Sequence, residues 1–234
     1  TADRAYLVNR VAAEKYPDVK FTAFGGLCLN RPVGGLNPDA VETSLKLGAK
    51  VIWLPTNTAE NHYRKNGKEP SEGVVVTRDG KAVDELQDIF ALVKQYNAVL
   101  ATGHIGAEEC FPVVEAARAA GVKKIVITHP EFWVVGMTPE QQADIVRKYD
   151  VLLESVYAQP VNGSYKINIP DNIAAMKAIG PEHFVLSTDS GQTVNPYWYE
   201  SYTTYFKAVS EAFTPEQVRK MTHDNPAWLL DIDQ

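Results

Sequence analysis

Cysteine is almost missing: Cys28 and Cys110 are the only two in 234 residues. That is too few for a disulfide framework, and they stand in no Cys-x-x-Cys spacing. They read as reduced thiols, which points to the cytoplasm. A basic block is also lacking. Lys plus Arg number 23 against 29 Asp plus Glu, for a net charge of −6, which argues against nucleic acid or an anionic membrane as the main partner. No apolar run reaches the roughly 20 residues of a membrane helix, and no signal-peptide pattern opens the chain. There is no internal repeat, no low-complexity segment and no His-x-His pair.

The sequence does have an alternation, from end to end, of short β-branched runs with amphipathic helical stretches. This is the pattern of βαβ units around a parallel sheet. Six strands are predicted: Phe21 to Leu29, Lys50 to Leu54, Ala98 to Thr102, Lys124 to Thr128, Val151 to Val156 and His183 to Thr188. Runs such as Val51-Ile52-Trp53-Leu54 are continuously apolar, as suits strands covered on both faces. Asn37-Pro38, Thr138-Pro139 and Thr214-Pro215 each place a capping side chain before a first-turn proline, and Gln141 and Gln217 complete possible capping boxes. Gly48, Gly121 and Gly180 follow helical patterns, where a left-handed residue ends a helix. Val83, Leu86, Phe90 and Val93 mark one apolar helix face. The stretch from Asn57 to Ala82 is a long polar excursion, with a predicted β-hairpin around Asp79-Gly80. The chain reads as a single domain over residues 1–234.

Three polar residues come directly after apolar strands: His104, His129 and Asp189. In a parallel barrel such positions share the C-terminal rim, so residues distant in sequence can converge. Two imidazoles and a carboxylate suit zinc or a similar divalent ion, which lowers the pKa of its water to about 7. Each residue also has an ordinary reading: a histidine after a strand is often a hydrogen-bonded structural residue, and Asp189 before Ser190-Gly191 can be a helix N-cap. His62, in the loop after the second strand, is either a ligand or substrate contact or an exposed loop histidine. Glu154 lies inside an apolar strand, where a bare carboxylate is costly. It is either a barrel-interior residue near the site or the partner of a buried Lys or Arg. Gln192, Asn195, Tyr197 and Trp198 follow Asp189 and can shape the pocket, the aromatic pair having packing of the last helix as its alternative. His183 and His223 are expected to be structural.

This ordered set, together with the closing Asn225-Pro226-Ala227-Trp228-Leu229-Leu230, resembles the amidohydrolase superfamily. Its barrels carry His-x-His on the first strand, Lys or Glu on the fourth, His on the fifth and sixth, and Asp on the eighth. The resemblance implies a (β/α)8 TIM barrel with six of eight βα units in this sequence, and His104, His129 and Asp189 match if two strands precede it. The strand that would be fourth ends in Leu54-Pro55-Thr56, without Lys or Glu, which favours a single ion.

The activity implied is that of a metal-dependent hydrolase acting on an amide, ester or cyclic carbonyl of a small molecule, with Zn2+ favoured and Mn2+ or Fe2+ as alternatives. Metal ligands would be His104, His129 and Asp189; catalytic groups would be Asp189 as proton shuttle and His129; His62, Glu154 and Gln192 would touch substrate. A homo-oligomer is expected. A metal-dependent decarboxylase or hydratase of a small acid is the first rival, and would need a carboxylate-binding Arg such as Arg31 or Arg64. A non-catalytic ligand-binding barrel is the second.

Overall fold

The computed structural model describes residues 2–161, 164–193 and 195–232, and for residues 158–161 and 164–167 the backbone alone. Six strands form one sheet: β1 (Gly25–Cys28), β2 (Ala49–Trp53), β3 (Val99–Ala101), β4 (Lys124–Ile127), β5 (Leu152–Val156) and β6 (Phe184–Ser187). Their order in the sheet is their order in sequence, and the pairs β1–β2, β2–β3, β4–β5 and β5–β6 are parallel. Every predicted strand is therefore present, and at least one helix follows each before the next, as βαβ connections require. β1 is shorter than predicted because the sheet gains its partner only from Gly25, opposite Ala49. Phe21 and Phe24 stay exposed ahead of it.

The chain divides into two compact units, Thr1–Ile125 and Val126–Gln234. In the first, Asn37 caps the helix Pro38–Lys46 by accepting from the Asp39 and Ala40 amides, as the Asn-Pro signal predicts. The apolar face of the helix Leu86–Gln95 carries Leu86, Ile89, Phe90 and Val93, all fully buried. Burying each of these contributes about 1.5–3 kcal/mol. Residues 57–82 hold a short helix, Glu60–Lys65, and the antiparallel pair Thr77–Arg78 with Lys81–Ala82. Asp79 and Gly80 take φ of 52° and 71°, the left-handed pair that a two-residue hairpin turn needs.

In the second unit, Thr138 with Gln141 and Thr214 with Gln217 form both predicted capping boxes. Ser155 Oγ lies 2.7 Å from the Tyr205 hydroxyl, and the Asn172 amide donates both to that hydroxyl and to the Val156 carbonyl, each at 2.9 Å. These buried groups tie β5 to the helices Ile169–Ile179 and Trp198–Ala212. They also fix the direction of the alternation: Ser155 faces the helices, so Glu154 faces the other side of the sheet. A second hairpin, Ala158–Val161 with Ser164–Ile167, was not predicted. Among the described residues no helix is long and apolar enough to cross a membrane.

Candidate active site

In the first unit the predicted residues His62 and His104 come together. Their Nδ1 atoms lie 2.8 Å apart, so one ring donates and the other accepts. The rings stack with centroids 4.9 Å apart and planes 15° apart. His62 is placed by the helix Glu60–Lys65 rather than by an open loop, which removes the reading of an exposed loop histidine. Burial, and secondarily the Lys68 charge, hold its pKa below the ordinary histidine value. His104 is fixed from the backbone: its N–H donates to the Pro55 carbonyl at 3.0 Å, and the Asn61 amide donates to its carbonyl at 3.0 Å.

Gly103 makes this possible. Its φ is 65°, and a Cβ there would stand 2.5 Å from the Leu54 oxygen and 2.7 Å from the Pro55 oxygen. Gly103→Ala is expected to cost roughly 3 kcal/mol, from left-handed strain plus the clash; urea unfolding of the two proteins checks it. Nearby, Asn30 Oδ1 accepts from the Thr56 and Thr58 amides, each at 3.0 Å, and from the Thr58 hydroxyl at 2.9 Å. This clamp joins the end of β1 to the end of β2, and it gave no sequence signal beyond an Asn after a strand.

In the second unit His129, Glu154 and Asp189 form a group. His129 follows β4, is 3% exposed and has a φ of 25°, an uncommon backbone state for a side chain of its size. Burial pushes its pKa down to about 4, so the imidazole is neutral at pH 7. Its ring packs on Phe132, centroids 4.4 Å apart. The Glu154 carboxylate accepts from the His129 backbone N–H and from the Ser187 hydroxyl. Although the residue is half-buried, its carboxyl is desolvated. That desolvation first, and the Asp189 charge second, raise its pKa to about 7. The charge that perturbs it is thus a carboxylate, not the Lys or Arg allowed by one reading of the sequence.

Asp189 follows β6 with a φ of 49°, and burial raises its pKa to about 6 against the opposing hydrogen bond from Gln192. Gln192 is in turn held by the Asn195 amide, 2.5 Å from its Oε1. Gln192 and Asn195 thus stand beside Asp189. The N-cap alternative for Asp189 does not hold, since the next helix starts at Trp198 and is capped from Tyr197. Tyr197 and Trp198 are exposed, at 71% and 65%, and so do not pack that helix. His223 lies 2.9 Å from Asp224 Oδ1, at the end of the chain's helical tail.

Among the described residues no group of three or more His, Cys, Asp and Glu side chains is arranged to hold a metal ion. The donors fit a divalent ion in kind, with two imidazole nitrogens meeting in one unit and a neutral imidazole with a carboxylate in the other. They do not form a finished ligand set.

The family described as "Family of unknown function (DUF6282)" matches residues 1–154. No curated protein matches. Among solved structures the chain is similar to an amidohydrolase from Pseudomonas aeruginosa, with 13% identity, a TM-score of 0.57, and coverage of 83% of this chain and 67% of that one. It is also similar to 2,6-dihydroxybenzoate decarboxylase from Rhizobium, at 16% identity and TM-score 0.54, covering 100% and 78%. A metallo peptidase from Rhodobacter sphaeroides, liganded with a phosphinate mimic of the dipeptide L-Ala-D-Ala, gives 11% identity and TM-score 0.58, covering 89% and 62%. Likeness at such identities establishes the fold alone, a parallel α/β sheet of the TIM-barrel type that the motifs implied.

Proposed function

Because this chain belongs to the DUF6282 family, whose description assigns no activity, its chemistry rests on its own residues, and we propose that it is a metal-dependent hydrolase of a small-molecule amide, ester or cyclic carbonyl. The observation that carries this reading is the pair of desolvated carboxyls in the second unit. Asp189 titrates at about 6 and Glu154 at about 7. Near pH 7 Asp189 is mostly ionised, while Glu154 keeps its proton about half the time. Two carboxyls set apart in this way divide the roles of base and acid.

Asp189 takes the proton from the attacking water, held in line for this by the amide of Gln192. Proton return to the leaving group falls to Asp189 itself or to Glu154. His129, neutral and backbone-locked, is suited to ligate or to polarise a carbonyl oxygen, not to donate charge as an acid. His62 and Gln192 are proposed substrate contacts. A divalent ion, with Zn2+ favoured, would supply Lewis acidity when bound, and its proposed ligands are drawn from His104, His129 and Asp189. The relatives' names support a metal and a hydrolytic reaction, one of them being a metallo peptidase.

The decarboxylase reading has the similarity to 2,6-dihydroxybenzoate decarboxylase structures in its favour. However, the two arginines it would draw on are engaged elsewhere: Arg31 donates to the Glu72 carbonyl at 3.1 Å, and Arg64 pairs with Glu60 at 2.9 Å.

Elemental analysis of the purified protein tests the metal. The wild type is expected to retain about one divalent ion per chain after dialysis, and His104→Ala and His129→Ala should each retain far less while keeping the wild-type circular dichroism. Equal metal in all three would remove these histidines from the ligand set.

A further inference from the structure

We infer a second ligand site in the second unit, on the helix-covered face of β5, that takes a protonated primary amine with a short apolar body. A cavity of about 490 Å³ lies between the helices Pro139–Tyr149 and Ile169–Ile179, within the size range of small-molecule pockets. Ser155 lines it, so it is on the opposite side of β5 from Glu154 and is separate from the candidate active site.

Its lining has one chemical character. Gln142 is 3% exposed and donates its amide to the Met137 carbonyl at 3.1 Å. No described residue is shown donating to its Oε1, and since Gln142 lines the cavity an occupant can supply a donor. Glu131 and Asp171 are the charged residues among the described residues of the wall. The Glu131 charge reaches inward, since it helps to raise the Tyr205 hydroxyl above the ordinary tyrosine value, after burial. Met137, Ala175 and Phe184 supply apolar surface. An ammonium group brings three donors and one positive charge to an amide oxygen and two carboxylates, and its alkyl chain covers the apolar wall. Glu131 belongs to the turn closed by the Phe132 N–H on the His129 carbonyl at 2.9 Å, so an occupant contacts the segment that carries His129.

Calorimetric titration of the full chain at pH 7 with n-hexylammonium chloride, sodium hexanoate and hexanol tests the site. The ammonium ion is expected to bind at one site at least tenfold more tightly than either of the other two. Asp171→Asn, a change at an exposed position, should weaken it about tenfold, and Ala175→Phe should abolish it by filling the cavity, with thermal unfolding confirming that both variants fold. Equal binding of hexanoate, no binding of the ammonium ion to the folded wild type, or ammonium binding unchanged in both folded variants would overturn the inference.

Discussion

Asp189→Asn is expected to fold normally and to lose turnover by a factor on the order of 10² to 10⁴, with KM changed far less. The substitution keeps the side-chain volume and an acceptor for Gln192 but removes the base. No helix-capping role confuses the result, since the helix after Asp189 begins nine residues later at Trp198. Asp189 is also destabilised as a carboxylate, burial raising it to about 6. The neutral amide should therefore make the metal-free protein more stable above that pH. A variant that gains stability and loses activity is the mark of a group retained for chemistry rather than for the fold. If steady-state kinetics instead showed activity within twofold of wild type, Asp189 would not be the proton carrier.

The second large effect concerns stability against pH. The folded state raises the Glu154 pKa from the ordinary glutamate value to about 7, so the fold favours the protonated form. That contribution is fully present below the unfolded pKa, about 4.3, and is lost as pH rises through 7. Glu154→Gln removes the titration while leaving an oxygen to accept from His129 and Ser187. Relative to wild type, the variant should gain little at pH 4 and on the order of 2 kcal/mol at pH 8. This discounts the full shift for solvent screening, the residue as a whole being only half-buried. Chemical unfolding of both proteins, dialysed against chelator, at pH 4, 6 and 8 measures the difference. A difference that stays flat with pH would mean that the carboxyl is not desolvated as the structure has it.

The strands were most legible where a run of β-branched and aliphatic residues is buried throughout, as in Val99-Leu100-Ala101 and Ile125-Val126-Ile127. Helix starts were legible where a side chain caps, at Asn37, Thr138 and Thr214. They were not legible at Glu60–Lys65, whose N-cap is Ala59 with no side-chain bond, and so the placement of His62 beside His104 was left open. The hairpin after β5, Ala158–Val161 with Ser164–Ile167, adds two strands to the six that the apolar runs predict. Site positions followed from strand ends, because in a parallel sheet every strand delivers its last residues to the same edge. The surroundings of Glu154 did not follow, since they depend on which residues of β6 and of the turn after β4 meet it across the sheet. No local pattern encodes the raised pKa values, which arise from burial by residues far away in sequence.

The most direct measurement of the proposed activity is product release from a panel of small amides, esters and lactones by the zinc-reconstituted protein, with the same protein held in chelator as control. The account predicts turnover of at least one class, lost on removing the metal and restored by adding it back. Turnover that persists in chelator, or a fully metal-loaded and folded protein that hydrolyses none of the panel, would contradict it.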